Sequence, residues 1–352
     1  MIAFNFNTNY SIKELSDDEN LVPAIDFINQ WNNGATAFTF KSSGSTGNAK
    51  DIVLSKTFLI QSAKRTIDLF KITSEDHLLL ALNTSFMGGI MMVVRALVAR
   101  CTLIYIPPQH ISTKSITDLP PIILASFVPA QIQKIIYNTS EDPFMNITNI
   151  LIGGAPVSDS LGEDIRNSKT SCTFYQTYGM TETASHVALK NISTNDKHYT
   201  ALEGYSFDTD EKNQLIIQYH IDPKFTLQTQ DIVNLHSVQS FEWIGRTDWV
   251  VNSGGIKFSL ETAENTVSNF FKNRQDSPLI TSYKEPDEKW GERWILILAC
   301  NALSQAEEAL LIEFCKTNLG KYVYPKEIRY SKKTVYLPSG KIDRINTYKA
   351  SL

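Results

Sequence analysis

The sequence has no paired cysteines. Its four, Cys101, Cys172, Cys300 and Cys315, are scattered with no CxxC spacing. Neither a zinc site nor a disulfide framework is expected, and a reducing, cytoplasmic setting fits. Excess positive charge is also missing: 33 Lys and Arg stand against 37 Asp and Glu, a net charge of −4. That excludes a nucleic-acid binder that works by neutralising phosphates. The N-terminus, Met1-Ile2-Ala3-Phe4-Asn5-Phe6-Asn7, has neither the basic stretch nor the apolar core of a secretory leader. The most apolar span, Gly88 to Pro107, is interrupted by Arg95 and Arg100 and turns β-like in its second half. It reads as a buried helix followed by a buried strand, and no membrane span is expected. Internal repeats, low-complexity tracts and a convincing Cys/His or Ser/His nucleophile pair are absent.

What is present is 352 residues of ordinary globular composition, 42% hydrophobic and 20% charged, enough for two or three domains. Apolar runs at Thr36–Phe40, His77–Leu82, Thr102–Ile106, Pro121–Ala125, Ile147–Ile152 and Thr173–Tyr175 read as strands. Lys56–Phe70, Gly89–Ala99, Pro129–Tyr137 and Ser158–Ser168 read as helices. Alternation of this kind predicts an α/β fold with a mainly parallel sheet and helices on its faces. Functional loops then follow the carboxyl ends of the strands. After about Leu202 the texture changes. Gln214–Tyr219 and Ile232–Leu235 suggest a β-rich patch, and Trp249 to Leu352 a small α+β unit with helices at Glu261–Phe271 and Ser304–Thr317 and a strand at Trp294–Ala299. The expected domains are 1–247 and 248–352.

Five polar clusters punctuate this framework. The first, Ser42-Ser43-Gly44-Ser45-Thr46-Gly47-Asn48-Ala49-Lys50, combines turning glycines, hydroxyl donors and a cation, which suits a polyphosphate. It is not a Walker A loop, because Ala49-Lys50-Asp51 stands where Gly-Lys-Ser would fall. The second is Tyr175-Gln176-Thr177-Tyr178-Gly179-Met180-Thr181-Glu182-Thr183. There Tyr178 can stack on a base, Thr181 can donate to a phosphate, and Glu182 can hold Mg²⁺. Thr181-Glu182-Thr183 also suits a plain helix start. In the third, Thr229-Gln230-Asp231, a carboxylate in a turn can accept both hydroxyls of a ribose. The fourth is the turn Gly245-Arg246-Thr247-Asp248, followed by Ser253-Gly254-Gly255-Ile256-Lys257. The fifth is Pro338-Ser339-Gly340-Lys341-Ile342-Asp343-Arg344. Each alone is weak; their order and spacing together are not.

In that order the clusters resemble the adenylate-forming acyl-CoA synthetase superfamily, over nearly everything from about residue 40 onward. The resemblance implies that Ser43, Gly44, Ser45, Thr46, Gly47 and Lys50 hold the phosphates of ATP. Gly154, Ala155 and Pro156, after Gly153, would border the adenine with Gln176, Thr177, Tyr178 and Gly179. Thr181 and Glu182 would serve phosphate and magnesium, Asp231 and Arg246 the ribose, and Asp248 the hinge. Gly254, Gly255 and Lys257 would line the coenzyme A channel, and Lys341 would be the catalytic lysine. The pattern departs at Ala49 and Leu260, where prolines are common, and at Gln230, in place of a glycine.

Relatives carry a much longer stretch before the phosphate loop, which here begins at Ser42. The implied fold is an N-terminally shortened adenylate-forming enzyme with a small mobile C-terminal domain. The shortening, Ser126-Phe127-Val128-Pro129-Ala130-Gln131 and the run from Gly88 to Leu97 resemble compact o-succinylbenzoate–CoA ligases of menaquinone biosynthesis. Phe86, Arg95 and Ser126 would then line the acyl pocket. Arg95 is either a structural arginine or, with Ser126, a holder of an aromatic dicarboxylate. The resemblance implies two half-reactions, acyl-adenylate formation and then transfer to coenzyme A. ATP, Mg²⁺, coenzyme A and a small carboxylic acid are the expected partners, and a homodimer is allowed. Two rivals are an aryl-acid activator that loads a carrier protein and a non-catalytic nucleotide-binding remnant.

Overall fold

The computed structural model describes residues 2–6, 18–41, 50–136, 142–168, 170–272, 278–336 and 342–352. Ser43, Gly44, Ser45, Thr46, Gly47 and Lys341 lie outside the described residues. The chain divides into two compact units. One comprises Met1–Val157, Leu161–Tyr205 and His220–Pro223; the other comprises Ser158–Ser160, Ser206–Tyr219 and Lys224–Leu352.

The first unit runs β1 (Ile2–Asn5), α1 (Val22–Asn32), β2 (Ala37–Lys41), β3 (Asp51–Ser55), α2 (Lys56–Phe70), β4 (His77–Leu80), α3 (Met87–Ala99) and β5 (Thr102–Tyr105). It continues with α4 (Thr113–Thr117), β6 (Ile122–Phe127), α5 (Pro129–Ile136), β7 (Ile147–Ile152), α6 (Asp159–Asn167), β8 (Thr173–Met180), β9 (Ser185–Asn191) and β10 (Tyr199–Ala201). Its strands lie in the order β1-β5-β4-β6-β7-β8-β9-β10. The five central strands β5-β4-β6-β7-β8 are parallel, as their unbroken apolar runs predict. β1 at one edge, and β9 and β10 at the other, are antiparallel. Leu79, Ile104, Ala125, Phe127, Ile150, Ile152 and Phe174 share one core. Helix α2 starts where Ser55 Oγ accepts the Phe58 N–H at 3.2 Å and stops where Lys71 turns left-handed at φ 56°. Helix α3 is apolar on nearly every face, is buried over most of its length and packs against α2.

The second unit holds β11 (Tyr205–Thr209), β12 (Gln214–Tyr219), β13 (Phe225–Ser237) and β14 (Ser240–Arg246), in the order β14-β13-β12-β11. It continues with β15 (Val250–Ser253), β16 (Ile256–Ser259), α7 (Leu260–Phe271), β17 (Leu279–Asp287), β18 (Gly291–Ala299), α8 (Gln305–Leu319), β19 (Glu327–Tyr330) and α9 (Arg344–Lys349). A second sheet runs β16-β15-β18-β17, with β19 parallel on β18. Its core is built on Trp294, whose indole N–H donates to Ser282 Oγ at 2.9 Å. Asp248 falls within this unit.

Two local expectations are corrected. Thr229-Gln230-Asp231 is not a turn but the middle of β13, with Thr229 and Asp231 facing inward and Gln230 outward. Gly245 and Arg246 end β14, and the turn comes one step later, a 3-10 turn over Thr247–Trp249. Among the described residues no helix is long and apolar enough to cross a membrane.

Candidate active site

In the first unit β2 and β3 pair antiparallel up to Lys41↔Asp51. The stretch that holds the expected phosphate loop is therefore flanked on both sides by paired strand, and Lys50 is exposed at the start of β3. β3 packs against the 3-10 turn Thr181–Thr183 that follows β8. At the neighbouring strand end, Thr177 Oγ1 donates to Ile152 O at 3.2 Å. A Cβ on Gly153 would come within 2.8 Å of that hydroxyl, so glycine lets β7 end directly beside β8. Gly154, Ala155 and Pro156 follow, all exposed.

Gln176 is buried, and its Oε1 has no hydrogen-bond partner among the described residues. Tyr178 packs its ring 5.7 Å from that of Tyr199. A Cβ on Gly179 would sit 2.1 Å from Ser185 O, which requires glycine where β8 meets the start of β9. The turn is closed by Thr183, whose hydroxyl accepts the Met180 N–H at 3.0 Å and reaches Ser185 O at 2.7 Å. Half-buried Glu182 sits on this turn. The structure thus brings Gly154–Pro156 and Gln176–Glu182 together on the adjacent strands β7 and β8 and the loops that follow them, while Lys50 immediately precedes β3 of a separate two-stranded sheet.

A second focus of this unit surrounds Arg95, which is 1% exposed on α3. Its Nη2 reaches Ser185 Oγ at 3.1 Å and His186 Nδ1 at 3.3 Å, and its Nη1 reaches Met92 Sδ at 3.4 Å. Ser126 Oγ donates to the same sulfur at 3.0 Å, so two of the three expected pocket residues meet there. Phe86 does not join them. It caps α3 nine residues earlier, about 13 Å along the axis. Among the described residues the buried Arg95 Nε–H has no partner. Among the described residues no carboxylate pairs with this guanidinium, and burial alone draws its pKa down to about 9. It remains a cation at neutral pH.

His186 is buried between Arg95 and Thr66, whose Oγ1 lies 3.2 Å from Nε2. Burial, then repulsion from Arg95 and Arg65, push its pKa well below the ordinary 6.5. The unfolded chain therefore takes up a proton here that the folded chain refuses. Below about pH 6.5 this site alone lowers stability by up to about 1.4 kcal/mol per pH unit until the depressed folded value is reached. Thermal unfolding followed from pH 7 to 5 should show a shallower fall for His186→Asn than for the unaltered chain. Equal slopes would mean that His186 is not neutral when buried.

The second unit holds the expected ribose residues. Buried Asp231 accepts the Trp243 indole N–H at 3.1 Å and lies 3.9 Å from Arg246 Nη1. Arg246 Nη2 also donates to Gln230 Oε1 at 3.0 Å and to Asp248 Oδ2 at 3.4 Å. Gly254 and Gly255, at φ 61° and 83°, form the two-residue tip of the β15–β16 hairpin, where both residues must be left-handed. Lys257 is exposed just beyond. Sequence reading singles out none of Thr66, Ser185 and Trp243, and it takes His186 as a pocket-lining or structural residue. The one visible signal was a histidine four positions after Glu182.

The sequence pattern of AMP-binding enzymes matches residues 7–207. The chain belongs to the AMP-binding enzyme family. A crystal structure of an acyl-CoA synthetase (AMP-forming)/AMP-acid ligase II-like protein from Dyadobacter fermentans is 31% identical, covers 95% of both chains and superposes with a TM-score of 0.59. The 2-succinylbenzoate–CoA ligase of Listeria monocytogenes is 24% identical over 356 residues, 95% of this chain and 74% of its own length. The o-succinylbenzoate CoA synthetase of Bacillus subtilis shares the fold. Its complex with the acyl-adenylate OSB-AMP superposes with a TM-score of 0.74 at 20% identity, over 88% of this chain and 68% of that one. Its complex with ATP and magnesium has the same TM-score at 18% identity, over 88% and 69%. At family level the chain is an AMP-forming acid–thiol ligase.

Proposed function

We propose that this ligase joins an acid bearing a second carboxylate to coenzyme A, and that the acid is o-succinylbenzoate. The observation that carries the reading is Arg95: a buried guanidinium with a partnerless Nε–H and no acidic partner among the described residues. An uncompensated buried cation is costly, and an anion supplied by the substrate removes that cost. The likeness to 2-succinylbenzoate–CoA ligase supports the same acid.

In the first half-reaction the succinyl carboxylate oxygen attacks the α-phosphorus of ATP and pyrophosphate leaves. The carboxylate is already a nucleophile, so no base is needed, and catalysis is the neutralisation of developing charge. Ser43, Ser45, Thr46 and Lys50 hold the leaving phosphates, and Lys341 bridges the carboxylate and the α-phosphate. The orphaned Gln176 Oε1 is an acceptor for an N–H of the nucleotide. Magnesium, when bound with ATP, adds positive charge against the phosphates. Glu182 would hold it, a single carboxylate being enough protein ligation for a magnesium ion carried by the phosphates.

In the second half-reaction the thiol sulfur attacks the acyl carbon and AMP leaves. The domain beyond Asp248 turns to withdraw Lys341 and to present Gly254, Gly255 and Lys257 along the thiol's path.

Incubation with ATP, coenzyme A and a panel of acids tests the reading. With o-succinylbenzoate, pyrophosphate release and a thioester are expected, at a kcat/KM well above that for 4-oxo-4-phenylbutanoate, the same skeleton without the ring carboxylate. Arg95→Met should lower kcat/KM for the diacid roughly 10- to 100-fold, and less for the monoacid, because it removes a charge-assisted contact. No acid-dependent pyrophosphate exchange, or equal losses for both acids, would overturn it.

A further inference from the structure

The network around Arg95 extends across three elements. Ala184 and Ser185, at the start of β9, both have left-handed backbones, at φ 51° and 96°. Neither is glycine, so each conformation costs energy that the surroundings must overcome. Ser62 on α2 supplies part of that hold by donating to Ala184 O at 2.6 Å, and Thr183 supplies more through Ser185 O. The result is that two consecutive side chains, Ser185 and His186, address the same Arg95 nitrogen.

The direction of each bond follows from chemistry. A guanidinium only donates, so His186 Nδ1 must accept. The proton of the neutral ring is then on Nε2, which donates to Thr66 Oγ1, 3.2 Å away. The Thr66 hydroxyl in turn faces Ser62 O at 3.4 Å. A protonated imidazole would set an N–H against an N–H of Arg95, and the depressed pKa of His186 agrees with its exclusion. Three of the five guanidinium donors are used by Met92, Ser185 and His186. The Nε–H is among those left over.

We propose that His186, set as the Nε2–H tautomer by Arg95 and held in that orientation by Thr66, is the positioning residue that aims Arg95 at the second carboxylate of the acid and so sets selectivity for a diacid. His186 does not touch the substrate; it acts through Arg95. The inference rests on the reading of Arg95 as the carboxylate holder.

The test is acid-dependent ATP–pyrophosphate exchange with o-succinylbenzoate and 4-oxo-4-phenylbutanoate, read as KM and kcat separately. His186→Phe, which cannot accept, should raise KM for the diacid roughly tenfold, with a smaller change in kcat and in the monoacid KM. His186→Asn places an amide oxygen near the Nδ1 position and should restore most of the lost selectivity. Thr66→Val is nearly isosteric and removes the acceptor of the Nε2 proton, which holds the ring in orientation. It should shift diacid KM in the same direction by a smaller factor, and it serves where His186→Phe fails to fold. Arg95→Met separates the two ideas. If Arg95→Met lowers the diacid preference while His186→Phe and Thr66→Val leave it unchanged, the role of His186 is rejected and that of Arg95 stands. If Arg95→Met leaves the preference unchanged, the carboxylate reading fails and the role of His186 fails with it. A loss in kcat alone for both acids in His186→Phe and Thr66→Val, without rescue by His186→Asn, would mark the network as structural only.

Discussion

Lys341→Ala is expected to abolish acid-dependent pyrophosphate exchange while the same variant still converts supplied acyl-adenylate and coenzyme A to thioester. Only the first half-reaction brings a carboxylate against a phosphate, and only there is a bridging cation required. Removing such a group costs on the order of 10²–10³ in rate. The residues after position 341 are anchored without it. Tyr336 and Ile342 form an antiparallel bridge, and Asp343 N donates to Val335 O at 2.8 Å. Arg344 binds both carboxylate oxygens of Glu264, donates to Ser282 O at 3.1 Å and lies over the Trp249 ring at 5.4 Å. The loss should therefore be chemical rather than conformational, and the thermal midpoint of the variant should match that of the unaltered chain. Lys341→Arg keeps the charge but not the shape and should recover only part of the rate. Equal loss in both half-reactions would reject the role given to Lys341.

The difference between what could and could not be read from the sequence is clearest in β13 and β9. Helices α2 and α3 were legible because a serine cap, an apolar stripe or an unbroken apolar run leaves a local signature. The strand carrying Asp231 was taken as a turn. Its inward positions Thr229 and Asp231 are polar, and so the alternation that marks a strand is hidden. In place of apolar packing, Asp231 accepts the Trp243 indole N–H and its own N–H donates to Thr229 Oγ1. From sequence His186 reads only as a pocket-lining or structural residue close after Glu182, and the strand that carries it, β9, is not foreseen. What gives it meaning is Arg95, 91 residues away, and no local pattern reports that pairing. Arg95 stood out as a charge inside an apolar helix. Whether an acid neutralises it depends on strands that reach it only through the tertiary fold. The family was legible for the opposite reason: the order of the five clusters along the chain is itself the signal.

Asp248→Pro is expected to give the reverse of the lysine result. Pyrophosphate exchange should persist, while thioester formation from supplied acyl-adenylate falls on the order of 10²-fold, the cost of misplacing a reacting group by about 1 Å. Asp248 sits in the 3-10 turn Thr247–Trp249, between β14 and β15. Two contacts link this turn to Arg246 and Gln230. Asp248 Oδ2 lies 3.4 Å from Arg246 Nη2, and Thr247 Oγ1 donates to Gln230 O at 3.0 Å. The Arg246–Asp248 pair is about one-third exposed on both sides, 32% and 30%. An ion pair of that exposure is worth about 0–1 kcal/mol, so it can break and re-form as the backbone turns. A proline at 248 acts differently. It fixes φ near −65° and drives Thr247 away from helical angles, which removes the rotation as well as the ion pair. Asp248→Ala is the control, since it deletes the carboxylate but leaves φ free. Near-normal rates in both half-reactions are expected for alanine, and a selective loss in the second for proline. If the proline variant formed thioester at the unaltered rate, or if alanine and proline were equally slow, rotation about Asp248 would not be what delivers the thiol.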